Sequence, residues 1–301
     1  MASPLVSSQL ISQSQTLSRA QPRWPFTRIL DLWHLASLDA PTVAVVWALT
    51  IGWAAGVRFE RWIPLLLACG TWTVYVVDRL LDARRAINAH DLSTLRERHY
   101  FHWRHRRALF PLATCAAAVA VALILKWMPV GAREHDSLIA AAALIYFSGV
   151  HAPAELPRWA RRLISKELLV GILFAAGCAA PALSHLRSAA SAWSIFPAVI
   201  FLASLAWLNC AAIDMWESQS IRIHIPAAAA TLTFIGVTAA VGLAAYSAHV
   251  AALLAGGAIS ALLLCVLHRT RHCLHPVTLR ALADLVLLVP AILLISGAPR
   301  V

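Results

Sequence analysis

The chain has 301 residues, of which 60% are hydrophobic and only 13% are charged. This composition excludes an ordinary water-soluble domain and predicts a protein that crosses a membrane several times. The net charge of +11 does not indicate nucleic acid, because the Arg residues lie in short connections between apolar stretches and no nucleic-acid-binding motif is present. The six Cys residues lack zinc-like spacing and imply no disulfide framework.

The N-terminal 28 residues are rich in Ser and Gln and contain no compact apolar core followed by a cleavage site. We therefore predict a disordered tail rather than a cleaved signal peptide. Residues 29–301 are predicted to form a single transmembrane helical domain. It opens with a short amphipathic segment at residues 29–39, which is expected to lie in the membrane interface.

Apolar stretches of roughly 17 to 25 residues predict an all-α bundle of about nine transmembrane helices. The boundary between the seventh and eighth rests only on residues 247–249. The predicted spans are 40–57, 62–82, 108–128, 137–153, 166–184, 193–214, 225–247, 250–268 and 278–297.

The distribution of Lys and Arg predicts the orientation of these spans. With nine spans, 18 of the basic residues lie on the side of the N-terminus and six on the opposite side. The positive-inside rule then places the N-terminus in the cytoplasm, and a bacterial inner membrane is expected.

Two predicted spans end in a pair of acidic residues on this same side. The second ends in YVVDRLLDARR with Asp78 and Asp82, and the sixth ends in LNCAAIDMWES with Asp214 and Glu217. Spacings of four and three residues put each pair on one helix face. Carboxylates at this depth indicate a functional site that binds a divalent metal with phosphate, or acids paired with neighbouring Arg residues. The sequence leaves both interpretations open.

Two basic segments lie near these acids. Thr94 and Glu97 have capping-box spacing, which predicts a helix running from there into the third span, with its Arg residues facing the acidic helix ends or lipid phosphates. Histidines at 99, 102 and 105 recur in this helix, but the Arg residues between them favour a basic interfacial helix over a metal site. Arg162 precedes the fifth span and Lys166 is at its start, where they complement a diphosphate or act as ordinary membrane anchors.

The chain resembles the UbiA superfamily of intramembrane prenyltransferases in three features. These are nine predicted spans, acidic motifs at the ends of the second and sixth spans, and a basic element before the fifth span. In that family the first acidic motif has the pattern NDxxDxxxD. Asp78 and Asp82 match its last two Asp residues, whereas its Asn and first Asp fall at Val74 and Tyr75 in this sequence. The resemblance implies catalytic roles for Lys166 and Arg162 and a Mg²⁺ cofactor. The implied metal ligands are Asp78, Asp82, Asp214 and Glu217, and the implied substrate-binding residues are Tyr75, Arg79, Tyr146 and Asn209.

The function implied by the resemblance is Mg²⁺-dependent transfer of an isoprenyl group from a polyprenyl diphosphate to an aromatic or lipid-like acceptor in the membrane. Two alternatives stay open. Because half of the first acidic motif is absent, the chain is alternatively a catalytically degenerate relative that binds prenyl lipids. Because acids inside a membrane also mark ion paths, a transporter of ions or small solutes is the second alternative.

Overall fold

In a computed structural model, the described residues are 25–89, 95–134, 136–138, 141–142, 166–186, 188–217 and 223–296. Within these ranges the regular elements are all helical. The α-helices, numbered in chain order, are α1 (Pro25–Leu35), α2 (Asp39–Ala54), α3 (Trp62–Asn88), α4 (Glu97–Arg104), α5 (Arg106–Trp127), α6 (Lys166–His185), α7 (Ala189–Glu217), α8 (Ile225–Leu243), α9 (Ala248–Thr270), α10 (Pro276–Leu285) and α11 (Ala291–Ser296).

Six of the described helices are long and apolar enough to cross a membrane, namely α3 and α5 to α9. Helices α1 and α2 are separated by a bend of 88° and form a seventh candidate if the pair counts as one span. The protein is thus an all-helical bundle compatible with several membrane crossings. The prediction of nine spans is not reached within the described residues, and most of the fourth predicted span, 137–153, lies outside them.

Where the ninth span was predicted, at 278–297, the structure has no continuous helix. Helix α10 is followed by a 3₁₀ turn at Val286–Leu288 and then by α11. Pro290 lies at this break, and its ring nitrogen cannot donate the hydrogen bond that a continuing helix needs. Trp47 of α2 instead donates its indole N–H to the Leu287 carbonyl at 2.9 Å, which satisfies one of the backbone groups at the break.

The core of the bundle is packed around Phe201 of α7. Gly236 of α8 and Gly257 of α9 both lie against its ring, and a Cβ at either position would come within 2.7 Å of a ring atom. These small residues let the three helices approach closely, as is usual for helices in membranes. The glycine-rich segments therefore serve close packing at these two positions.

The corner between α1 and α2 contains Ser37, which has a positive φ of 55°. Its hydroxyl lies 3.3 Å from Nε2 of His102 on α4. Helix α1 also packs along α10, where Thr278 donates a hydrogen bond to Asp31 at 2.8 Å. Arg28, Ile29 and Leu32 of α1 are exposed, so the helix presents a mixed outer face suited to a membrane interface.

Candidate anion-binding site

Helix α4 brings basic side chains directly to the end of α7. Arg98 donates two hydrogen bonds to the Glu217 carboxylate, at 2.8 and 3.2 Å. Arg96 donates to the Glu217 carbonyl at 2.9 Å, where a cation also complements the helix dipole. For Arg96 and Arg98, these contacts confirm the prediction that Arg residues of this helix face an acidic helix end, whereas Arg104, Arg106 and Arg107 are exposed.

The helix begins differently from the sequence prediction. Its N-cap is Arg96 rather than Thr94, and a break at His105 separates it from α5. The prediction of one helix running from a Thr94 cap into the third span is therefore wrong. The backbone N–H of Arg96 donates to Nδ1 of His99 at 3.0 Å, and this bond secures the first turn.

Glu217 also accepts a hydrogen bond from Arg280 of α10 at 2.5 Å. The Glu217 carboxylate therefore accepts hydrogen bonds from two guanidinium groups. The interpretation of this acid as the partner of neighbouring Arg residues is confirmed. Arg79 of α3 is 8% exposed and extends the same positive region. We call Arg79, Arg98, Arg280 and His99 the arginine cluster.

Burial and mutual repulsion both act on the basic groups of the arginine cluster. Burial, followed by the positive charges of Arg280 and Arg79, lowers the pKa of Arg98. For His99, burial and then the charges of Arg98, Arg79 and Arg280 lower the pKa to about 2. His99 is therefore neutral at physiological pH, and the three guanidinium groups act on one another through a region of reduced solvation.

Several donors of the arginine cluster have no partner among the described residues. These are the Nε–H groups of Arg79, Arg98 and Arg280, which are buried. Nε2 of His99 is also buried without a hydrogen bond, and because Nδ1 accepts from Arg96, the proton of the neutral ring must be on Nε2. Buried unpaired donors are costly, so four of them around one positive region indicate the place of an anion.

The predicted metal ligands do not come together as one set in the described part of the chain. The Glu217 carboxylate is engaged by Arg98 and Arg280. Asp78 lies 3.8 Å from Arg79, and Asp82 lies 3.8 Å from Nε2 of His99. Close groups of potential ligand atoms, searched over the described residues, do not include these acids or Asp214. The four residues therefore do not fit a single Mg²⁺ ion in this arrangement.

The remaining predicted residues fall into two groups. Tyr75 lies under the Arg79 guanidinium, with 5.7 Å from the ring centroid to Cζ, whereas Val74 is 54% exposed on another side of α3. Asn209 is buried and donates to Asp284 at 2.9 Å. Arg162 and Tyr146 lie outside the described residues, and Lys166 is described only as the first residue of α6.

Sequence reasoning did not find Arg98, His99 and Arg280 as members of one site. Arg98 and His99 belong to a run of basic residues, and Arg280 is an isolated charge 63 positions after Glu217. Their only shared signal is a charge placed next to an apolar segment, which the positive-inside rule already explains.

No model of a known protein family matches this chain, and neither the curated proteins nor the solved structures searched include a detectably similar one. Over the described residues, the chain is an all-helical bundle with six helices that are long and apolar enough to cross a membrane. The UbiA resemblance therefore stays a prediction from the motifs.

Proposed function

We propose that this protein is a UbiA-like intramembrane prenyltransferase whose arginine cluster binds the diphosphate of a polyprenyl diphosphate. The observation that carries the proposal is a set of four buried N–H donors that have no hydrogen-bond acceptor among the described residues. A diphosphate offers several anionic oxygens, and guanidinium groups are well matched to them. The predicted orientation puts the site at the cytoplasmic side of a bacterial inner membrane.

In the proposed reaction, the allylic C–O bond breaks and the diphosphate leaves with the bonding electron pair. Arg79, Arg98 and Arg280 stabilise the negative charge that grows on the leaving group, because their donors are already in place before the bond breaks. The allylic carbocation then forms a bond to a carbon of the acceptor, which loses a proton. Asp78 and Asp82 stay the predicted contacts of any Mg²⁺ that arrives with the diphosphate.

The prenyl chain requires an apolar path, and a groove between α6 and α7 offers one. The groove has a volume of about 370 Å³ and is lined by residues such as Leu168, Ile172, Phe196 and Ile200. Ser204, a polar residue of the groove lining, lies 13 positions before Glu217 on α7. The distance between the two residues along the helix axis is therefore about 20 Å. A chain that reaches from the arginine cluster into the groove must be long, so the proposal favours polyprenyl over short allylic substrates.

Equilibrium binding of a non-hydrolysable polyprenyl thiodiphosphate to purified full-length protein tests the proposal. Arg98→Gln removes charge-assisted hydrogen bonds worth about 1.5–3 kcal/mol, so the Kd should rise about 10- to 150-fold. Arg84→Gln, which removes an exposed charge from α3, is the matched control and should leave the Kd unchanged. Equal affinity for both variants would refute the site.

A catalytically inactive prenyl-lipid-binding protein is the second candidate. Two observations favour it: the Glu217 carboxylate is engaged by two Arg residues, and the position of the family Asn is occupied by the outward-facing Val74. Incubation with radiolabelled polyprenyl diphosphate and aromatic acceptors separates the candidates. Binding with product formation supports the enzyme, whereas binding without turnover over the whole acceptor panel supports the second candidate.

A further inference from the structure

A second buried polar group lies beneath the corner between α1 and α2. It consists of His34 at the end of α1, Asp39 at the start of α2 and Asp284 near the end of α10, and we call it the corner triad. One ligand atom from each residue lies within 4.8 Å of the other two. None of these residues was singled out by the sequence motifs.

In the corner triad, each Asp side chain has one carboxylate oxygen bonded elsewhere and the other directed towards His34. Oδ1 of Asp39 accepts the backbone N–H of Ala40 at 2.9 Å, and Oδ1 of Asp284 accepts from Asn209 at 2.9 Å. The Oδ2 atoms of Asp39 and Asp284 lie 2.5 and 3.8 Å from Nδ1 of His34. Two carboxylates this close in a buried site repel each other unless a positive charge lies between them.

Nearby Arg residues do not supply that charge through a described ion pair. Arg280, one turn before Asp284, directs its Nη1 to Glu217 at 2.5 Å. Arg79 lies 3.8 Å from Asp78. The charge between the two carboxylates therefore comes from His34, from a shared proton or from a bound cation.

Asn209 gives a second and independent indication of a ligand. It is 5% exposed, its amide nitrogen contacts the corner triad through Asp284, and its Oδ1 is buried without a hydrogen bond to the described residues. An amide oxygen is a good ligand for a divalent cation and a poor one for an anion. The unpaired atom beside the triad is thus of the type that a cation needs.

We propose that His34, Asp39 and Asp284, with the Asn209 amide oxygen, form a binding site for one divalent cation of the Zn²⁺ or Mn²⁺ class. One imidazole nitrogen among oxygen ligands suits these ions better than Mg²⁺. Ligand atoms of one ion lie about 3 Å apart, so binding displaces the proton between His34 and Asp39 and separates that pair. The ion links α1 and α2 to α10 and stabilises the packing of these three helices.

Metal analysis of the full-length protein tests this site. After chelation, dialysis and reloading, Zn²⁺ is quantified by mass spectrometry and Mn²⁺ binding by electron paramagnetic resonance. Wild type should hold one ion per chain, and Asp284→Asn should bind at least tenfold more weakly. Asp31→Asn is the matched control, since Asp31 is a buried acid of α1 that accepts from Thr278; it should bind as wild type does.

The ion should also raise the unfolding temperature of wild type and Asp31→Asn but not of Asp284→Asn. If Asp284→Asn fails to fold, His34→Gln provides the same comparison. Absence of stoichiometric binding to wild type, or equal binding to the triad variants, would overturn the proposal and leave His34 or a shared proton as the source of the positive charge. Because Arg98→Gln leaves all four ligands in place, it should retain the ion, so failure here is distinguishable from failure of the diphosphate site.

Discussion

Glu217→Gln removes the carboxylate that contacts both Arg98 and Arg280. In the wild type, Glu217 accepts three hydrogen bonds from these side chains, at 2.8, 3.2 and 2.5 Å. The substitution keeps the shape of the side chain but leaves two guanidinium groups without this counter-charge. The protein should therefore lose stability when no anion is bound.

The size of the effect follows from the burial of the pair. Breaking a buried ion pair costs about 3–5 kcal/mol. The Glu217 side chain is 25% exposed, so water partly compensates and we expect about 2–3 kcal/mol. At about 2 °C per kcal/mol for a chain of this size, the unfolding temperature should fall by about 5 °C.

Intrinsic fluorescence during a thermal scan measures this change, since the chain has 12 Trp residues. Scans should use one heating rate, because membrane proteins often unfold irreversibly. Adding inorganic pyrophosphate should stabilise Glu217→Gln more than wild type, because the anion replaces the missing charge. Exposed Glu134→Gln is the control. An unfolding temperature for Glu217→Gln within 1 °C of wild type, with no response to pyrophosphate, would show that Glu217 does not balance the charge of Arg98 and Arg280.

Three further predictions address packing, pH and topology. Gly171→Ala should lower the free energy of unfolding by about 1–3 kcal/mol in denaturant titrations, because the new Cβ would lie 2.6 Å from a backbone oxygen of α7. Gly177→Ala adds its Cβ in open space and should leave the free energy of unfolding unchanged or raise it. Burial lowers the pKa of His102 from 6.5 to about 4, so between these pH values the unfolded state binds more protons than the folded state. The free energy of unfolding should therefore fall by about 2 kcal/mol from neutral pH to pH 5. His102→Gln should remove this part of the pH dependence. In a Cys-free variant in intact cells, His105→Cys should resist impermeant thiol reagents and Glu134→Cys should label; the reverse pattern would contradict the orientation.

Hydrophobic composition was sufficient to predict an all-helical bundle, and most predicted spans coincide with helices. The break between the seventh and eighth spans is confirmed between Leu243 and Ala248, although only a few residues marked it. The interruption near Pro290 was missed because the apolar run continues through it. Hydropathy reflects only the length and composition of an apolar segment. This break depends on the missing backbone N–H of Pro290 and on the hydrogen bond that Trp47, from a distant helix, donates to the Leu287 carbonyl.

The candidate site was predicted in part. The prediction that basic residues of the 84–107 connection face an acidic helix end was confirmed by Arg98 and Glu217. The contribution of Arg280 was not predictable, because pairing between distant segments leaves no local pattern in one sequence. The corner triad was missed for the same reason, since its members come from opposite ends of the chain.

An experimental structure of the protein with a bound polyprenyl thiodiphosphate tests the central claim most directly. Diphosphate oxygens should lie within hydrogen-bond distance of Nε of Arg79, Arg98 and Arg280 and of Nε2 of His99. A complex with the diphosphate bound elsewhere, and these four donors still without an acceptor, would contradict it.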